Sequence, residues 1–245
     1  MPYNPFPQKA NSGYIYRACM NKEDSKPFDS IKRIAYNPAP DYIGRANLIG
    51  KGVGYGASSI DTAAIEVCQD SLRKSQKRKF ELTIGKWIIS QDIHTAVICY
   101  SKKALETPTD LIDAYNSITK QKIEEHGFNK KQLRIWNLKN RFFAEQFAKS
   151  NIICDNYNDY LFSALYSNTI FKSKKPNFDC IWYPSQAYNY IGFNIAYKPL
   201  LFDSGILKLQ KAYCVSIEFQ SNYKYYPKIN ILKETDTFKA NKIIW

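Results

Sequence analysis

The chain has 245 residues, with 35 lysines and arginines against 22 aspartates and glutamates, a formal net charge of +13. That length can bury a full hydrophobic core, and a single domain spanning 1–245 is expected. No run of about 18 apolar residues occurs, and Met1 to Lys9 carries Pro2, Pro5 and Pro7 without an apolar stretch, so neither a membrane span nor a signal peptide is indicated and a cytoplasmic protein is expected.

In chain order, Tyr14 to Ala18 reads as a short strand, followed by a polar loop from Asn21 to Ser30. Pro38 and Pro40 bar a helix there. Val53 to Ser58 reads as a strand, and Ser59 as the N-cap of a helix from Ile60 to about Leu72. Ile60, Ala63, Ala64, Val67, Cys68 and Ser71 form its apolar stripe. Phe80 to Ile89 and His94 to Tyr100 read as extended. Helices are expected over about Thr109 to His126, Lys130 to Lys149 and Tyr157 to Phe171. Strands are expected at Cys180 to Tyr183, Phe193 to Tyr197 and Tyr213 to Gln220. Strands at both ends around a helical middle define an α+β fold with mixed or antiparallel sheets and flanking helices.

Cys19, Cys68, Cys99, Cys154, Cys180 and Cys214 include no C-x-x-C pair and suit reduced, buried thiols. With only His94 and His126 as imidazoles, no metal site is expected. The basic excess is mostly lysine, strewn along the chain, and its densest run, Arg73 to Lys79, sits where a helix ends. Position favours a solvated face there over a nucleic-acid footprint, which stays as the lesser alternative together with the chain's many tyrosines.

The informative stretch runs from Gly44 to Glu66. Gly50, Gly52, Gly54 and Gly56 recur at every second position, but no buried strand precedes them and no Gly-Lys-Ser/Thr follows, which rules out a dinucleotide fingerprint and a phosphate loop. A glycine-rich hairpin or bulge is the plain reading of these glycines. Arg45, in a chain that favours lysine, suits bidentate binding of phosphate or carboxylate, or is a surface arginine. Tyr55 between two glycines offers a ring face for a flat heterocycle, or is a core aromatic. Glu66 falls about 130° from the centre of the apolar stripe, so periodicity alone assigns it to solvent. Ser185 has no evident histidine and acid partner, which argues for a hydrogen-bonding role over a nucleophile.

The order Tyr16-Arg17-Ala18, Arg45-Ala46-Asn47, Gly52-Val53-Gly54-Tyr55, Thr62-Ala63-Ala64-Ile65-Glu66-Val67, Tyr183-Pro184-Ser185 and Gly192-Phe193-Asn194 resembles the RES domain family. The likeness covers about 14–81 and 157–203 and leaves a helical insertion at about 107–151. It departs from the family pattern between Ser185 and Gly192, where an arginine and a second glycine are often found. The resemblance implies a fold similar to ADP-ribosyltransferase toxins, with NAD as substrate rather than cofactor and inorganic phosphate as a possible co-substrate. It implies cleavage of the nicotinamide–ribosyl bond by phosphorolysis or hydrolysis, or transfer of ADP-ribose to a protein, by the toxin of a toxin–antitoxin pair. A cognate antitoxin and further copies of the chain are the partners it suggests. Carried over, Glu66 is the catalytic carboxylate, Arg17 and Arg45 hold phosphate, and Tyr55 bears on the nicotinamide or its ribose. Ser185 bonds substrate or phosphate, and the motif asparagines Asn47 and Asn194 contact substrate.

Overall fold

The structure, a computed structural model, describes residues 5–22, 26–74, 77–99, 110–149, 157–220 and 223–245. Nine strands form one mixed sheet: β1 (Pro5–Gln8), β2 (Tyr14–Met20), β3 (Gly54–Ala57), β4 (Lys79–Ile89), β5 (Ile93–Val97), β6 (Cys180–Pro184), β7 (Phe193–Tyr197), β8 (Leu207–Gln220) and β9 (Tyr223–Thr235). Their order is β1-β5-β6-β7-β3-β2-β4-β8-β9, and β5 with β6 is the parallel pair. Among the described residues the α-helices are α1 (Ile60–Lys74), α2 (Asp110–His126), α3 (Lys130–Phe147), α4 (Leu161–Lys172) and the short α5 (Leu200–Asp203). The architecture is α+β.

Both faces of the sheet are covered, so its central strands are apolar on both sides. On β4, Leu82 and Ile84 pack with Ala64, Ile65 and Cys68 of α1, whereas Trp87 and Ile89 join the core on the opposite face. A third cluster sets Ala144 and Phe147 of α3 and Ile170 of α4 against Ile181, Tyr183 and Ala196 of β6 and β7. Helices α2 and α3, within the expected insertion, therefore belong to the core: Tyr115 stacks on Trp136 with ring centroids 5.6 Å apart, and both rings are buried. Burial pushes the Cys68 and Cys99 thiols up to about 12, which makes them packing groups. Cys154 lies outside the described residues.

The sheet comes apart at one place. Strand β3 pairs with β7 over four residues, Gly54 to Ala57 against Tyr197 to Asn194, but with β2 only at Tyr16 and Ala57. Beyond that pair β2 and β3 diverge. Arg17 spans the gap, its Nη1 donating to the carbonyl of Tyr55 at 2.7 Å where ladder bonds have stopped.

The glycine run is not a hairpin. Gly54 and Gly56 lie inside β3, between β7 and β2, because neighbouring side chains occupy the space a Cβ would need: the Tyr197 ring beside Gly54 and Ile15 beside Gly56. Gly50, at φ +67°, makes the turn before the strand. The N-cap reading of Ser59 agrees with its Oγ, which accepts from the Thr62 amide at 3.1 Å. The two edge strands have no sequence expectation behind them. Strand β9 is an edge strand carrying lysines and Pro227, and β1 is an edge strand carrying Pro5 and Pro7, compositions that suppress the alternating signal.

Tyr197 is fully buried and its hydroxyl donates to the Ala35 carbonyl at 2.5 Å, so its ring has little freedom to yield. Gly54→Ala is therefore expected to destabilise the protein by about 1–3 kcal/mol through overpacking. Urea unfolding measures this, and an unchanged midpoint contradicts the packing described.

Candidate active site

The parting of β2 from β3 opens a cavity of about 510 Å3 lined by Arg17, Arg45, Tyr55, Glu66, Tyr160 and Asn194, among others. Its volume suits a small organic ligand. Helix α1 closes one side, and the loop that carries Gly44 to Asn47 closes another.

Glu66 stands on α1 and faces this cavity, not solvent. The helical wheel fails because α1 is buried along two stripes. Ala64, Ile65 and Cys68 meet the sheet, while Thr62 packs against Gly192 and Gln69 Nε2 donates to the Ala187 carbonyl at 3.4 Å. The 185–192 turn thus covers the face that periodicity gave to water. Tyr190 N donates to the Ser185 carbonyl and Ser185 N to the Gly192 carbonyl, and the chain passes through left-handed conformations at Asn189 (φ 49°) and Tyr190 (φ 64°).

That turn and β7 clamp the carboxylate. Ser185 Oγ and Asn194 Nδ2 each donate to Glu66 Oε1 at 2.6 Å. Ser185 Oγ in turn accepts from the Tyr188 amide at 3.2 Å, which fixes its hydroxyl as the donor toward Glu66. Both clamp bonds fall on Oε1, and among the described residues Oε2 accepts none. Ser185 is wholly buried and does not line the cavity. Ser185 therefore stands behind Glu66, holding its carboxylate, and not in the cavity wall where contact with substrate was expected. Asn194, also buried, reaches both the clamp and the cavity wall.

Tyr55 and Asn47 are tied to each other. The Tyr55 hydroxyl accepts from the Ala46 amide and donates to Asn47 Oδ1, both at 2.8 Å, and Asn47 Nδ2 donates to the Tyr42 carbonyl at 2.9 Å. Asn47 is buried but belongs to the cavity lining, and its amide ties the 42–48 loop together. Burial raises the phenol pKa of Tyr55, Tyr183 and Tyr160, so all three present neutral hydroxyls to the site.

The arginines are placed by backbone carbonyls. Arg17 uses Nη1 on Tyr55, and its buried Nε has no hydrogen-bond partner among the described residues. Arg45 donates from Nη1 to the Phe147 carbonyl at 2.6 Å, at the C-terminus of α3, and its guanidinium lies 4.7 Å from the centroid of the Tyr160 ring. Cation and carboxylate thus line one chamber. Arg33 and Asp70, both exposed, add a further opposite pair at its edge. Neither they nor Tyr160 stood out in the sequence, and Tyr183 entered only as the first residue of the Tyr183-Pro184-Ser185 motif. The available signal for Arg33 was its scarcity, as one of only seven arginines among 35 basic residues. Among the described residues no group of three or more metal-ligating side chains occurs, and no helix is long and apolar enough to cross a membrane.

No protein-family model matches the chain, and no curated protein is significantly similar to it. The site rests on its own geometry.

A hydrogen bond to a charged group contributes about 1.5–3 kcal/mol. Ser185→Ala is expected to lower the unfolding free energy by that amount in the native chain and by much less in a Glu66→Ala background. Equal losses in both backgrounds, measured by urea unfolding, would show that Ser185 and Glu66 are not coupled.

Proposed function

We propose that the chain is an NAD-consuming enzyme of the RES type that cleaves the nicotinamide–ribosyl bond, with an ADP-ribosyltransferase-like core. The observation that carries this reading is the Glu66 carboxylate, held on Oε1 by Ser185 and Asn194 in a cavity that also presents Arg17 and Arg45. Breaking an N-glycosidic bond builds positive charge on the ribose as nicotinamide departs with the bonding electrons. A fixed carboxylate beside that sugar stabilises the developing oxocarbenium ion more than the uncharged ribose of the ground state. Because nicotinamide leaves as a neutral base, the reaction needs no general acid. The second product forms when inorganic phosphate or water adds to the vacated anomeric carbon and loses a proton.

Each group has one task in this scheme. Glu66 Oε2 faces the anomeric carbon, while Ser185 and Asn194 keep the carboxylate from rotating away. Arg17, oriented by the Tyr55 carbonyl, and Arg45, oriented by Phe147 and Tyr160, turn the remaining edges of their guanidinium groups to the pyrophosphate. The neutral rings of Tyr55 and Tyr183 give the nicotinamide end a low-polarity wall. Transfer of ADP-ribose to a protein would use the same first step with a different acceptor. A role in a toxin–antitoxin pair, in the cytoplasm, follows from the RES reading.

Purified protein incubated with NAD, with and without phosphate, is expected to release nicotinamide together with ADP-ribose 1″-phosphate or ADP-ribose, resolved by chromatography. Glu66→Gln keeps an oxygen for Ser185 and Asn194 but loses the charge, and is expected to retain the melting temperature while losing about 100-fold or more in turnover. Intact NAD at high protein concentration, or a fully active Glu66→Gln variant, would refute the proposal.

A further inference from the structure

Helix α3 is apolar on two opposite sides. Trp136, Ala144 and Phe147 form the buried stripe, whereas Ile135, Leu138 and Phe142, at i, i+3 and i+7, form a second stripe facing outward. Helix α4 continues that outer surface. Phe142 meets Phe162 edge-on across the two helices with centroids 6.3 Å apart, and Leu165 lies one turn beyond Phe162. Leu138 is 57 % exposed and Phe162 56 %. Exposed apolar residues in such a contiguous group mark an interaction site.

Charge selects the occupant. Helix α3 carries five basic residues against one acid, Glu145, which is paired with Arg141 at 2.8 Å. Lys131, Arg134 and Lys139 are exposed and flank the outer stripe. A trough of about 360 Å3 runs beside it, lined by Lys130, Leu133, Arg134, Asn137, Leu138 and Arg141. Cations flanking an apolar helical stripe complement the carboxylates and apolar face of an acidic amphipathic helix, and a second copy of a chain with net charge +13 brings repulsion to a basic surface.

We propose that the outer faces of α3 and α4 dock an acidic amphipathic helix of another protein, with apolar side chains on the Leu138–Phe142–Phe162 ridge and carboxylates toward Lys131, Arg134 and Lys139. This goes beyond the NAD reading and stands whether or not the cavity turns over NAD. The surface is nonetheless joined to that cavity: α3 ends on the Phe147 carbonyl that holds Arg45, and α4 follows directly on Tyr160, whose ring stacks on it.

The test uses the full chain and a fluorescein-labelled helical peptide with Leu and Phe at every third and fourth position and Glu elsewhere. Anisotropy is expected to show saturable binding at about micromolar concentration, weakened by salt. The double variant Phe142→Ser/Phe162→Ser and the double variant Lys131→Glu/Arg134→Glu, both with native melting curves, are each expected to weaken it at least tenfold. Four results would overturn the proposal: no saturable binding, equal binding of the peptide with Lys in place of Glu, unchanged binding by the variants, or dependence on Phe142 and Phe162 of either self-association or binding to anionic phospholipid vesicles.

Discussion

The parting of β2 from β3 is the constraint on which the rest of the structure depends. A continuous ladder there would fill the space that the cavity occupies, and a complete break would divide the nine strands into two sheets. One backbone pair, Tyr16 with Ala57, and one side-chain bond, Arg17 to the Tyr55 carbonyl, hold the intermediate state. The same arginine that replaces the missing ladder bonds lines the cavity, and its buried Nε has no hydrogen-bond partner among the described residues. One guanidinium thus both bridges the strands and lines the cavity, and the gap that weakens the sheet is also what opens the chamber.

Opposite charges are kept apart inside the cavity by spending the polar neighbours differently. Ser185 and Asn194 supply hydrogen bonds to Glu66, so its charge is compensated without an arginine in contact. Carbonyls of Tyr55 and Phe147 orient Arg17 and Arg45, so those cations are fixed without a carboxylate. Had Glu66 paired directly with either arginine, both would be neutralised before a ligand arrived. The separation leaves one wall suited to phosphate and the other to a sugar carrying positive charge. It also explains why the short motifs lie so far apart in the chain: Glu66 and Ser185 are separated by 119 positions, and Arg45 and Phe147 by 102.

Much of the architecture was legible because local rules agree with the outcome. The alternation in Phe80 to Ile89, the Ser59 cap and the amphipathic helices all act within a few residues. What was illegible depends on distant chain. Glu66 looks solvent-facing until the 185–192 turn covers that side of α1. The glycines look like a hairpin until Tyr197 and Ile15 are seen filling the places of their side chains. Strand β9 carries the lysines and proline of an exposed edge, which mask it. Among the candidate residues, Glu66, Arg17, Arg45, Asn47, Tyr55 and Asn194 line one cavity, with the Asn47 amide also bound to its own loop, whereas Ser185 stands behind the wall. No spacing rule separates a residue that touches a ligand from one that positions its neighbour.

The most direct measurement is a crystal structure of the Glu66→Gln variant soaked with NAD. The dinucleotide is expected in the β2–β3 cleft, with its nicotinamide ribose beside residue 66 and its pyrophosphate against Arg17 and Arg45. Dinucleotide bound elsewhere, or in the cleft with its pyrophosphate against residue 66, would contradict it.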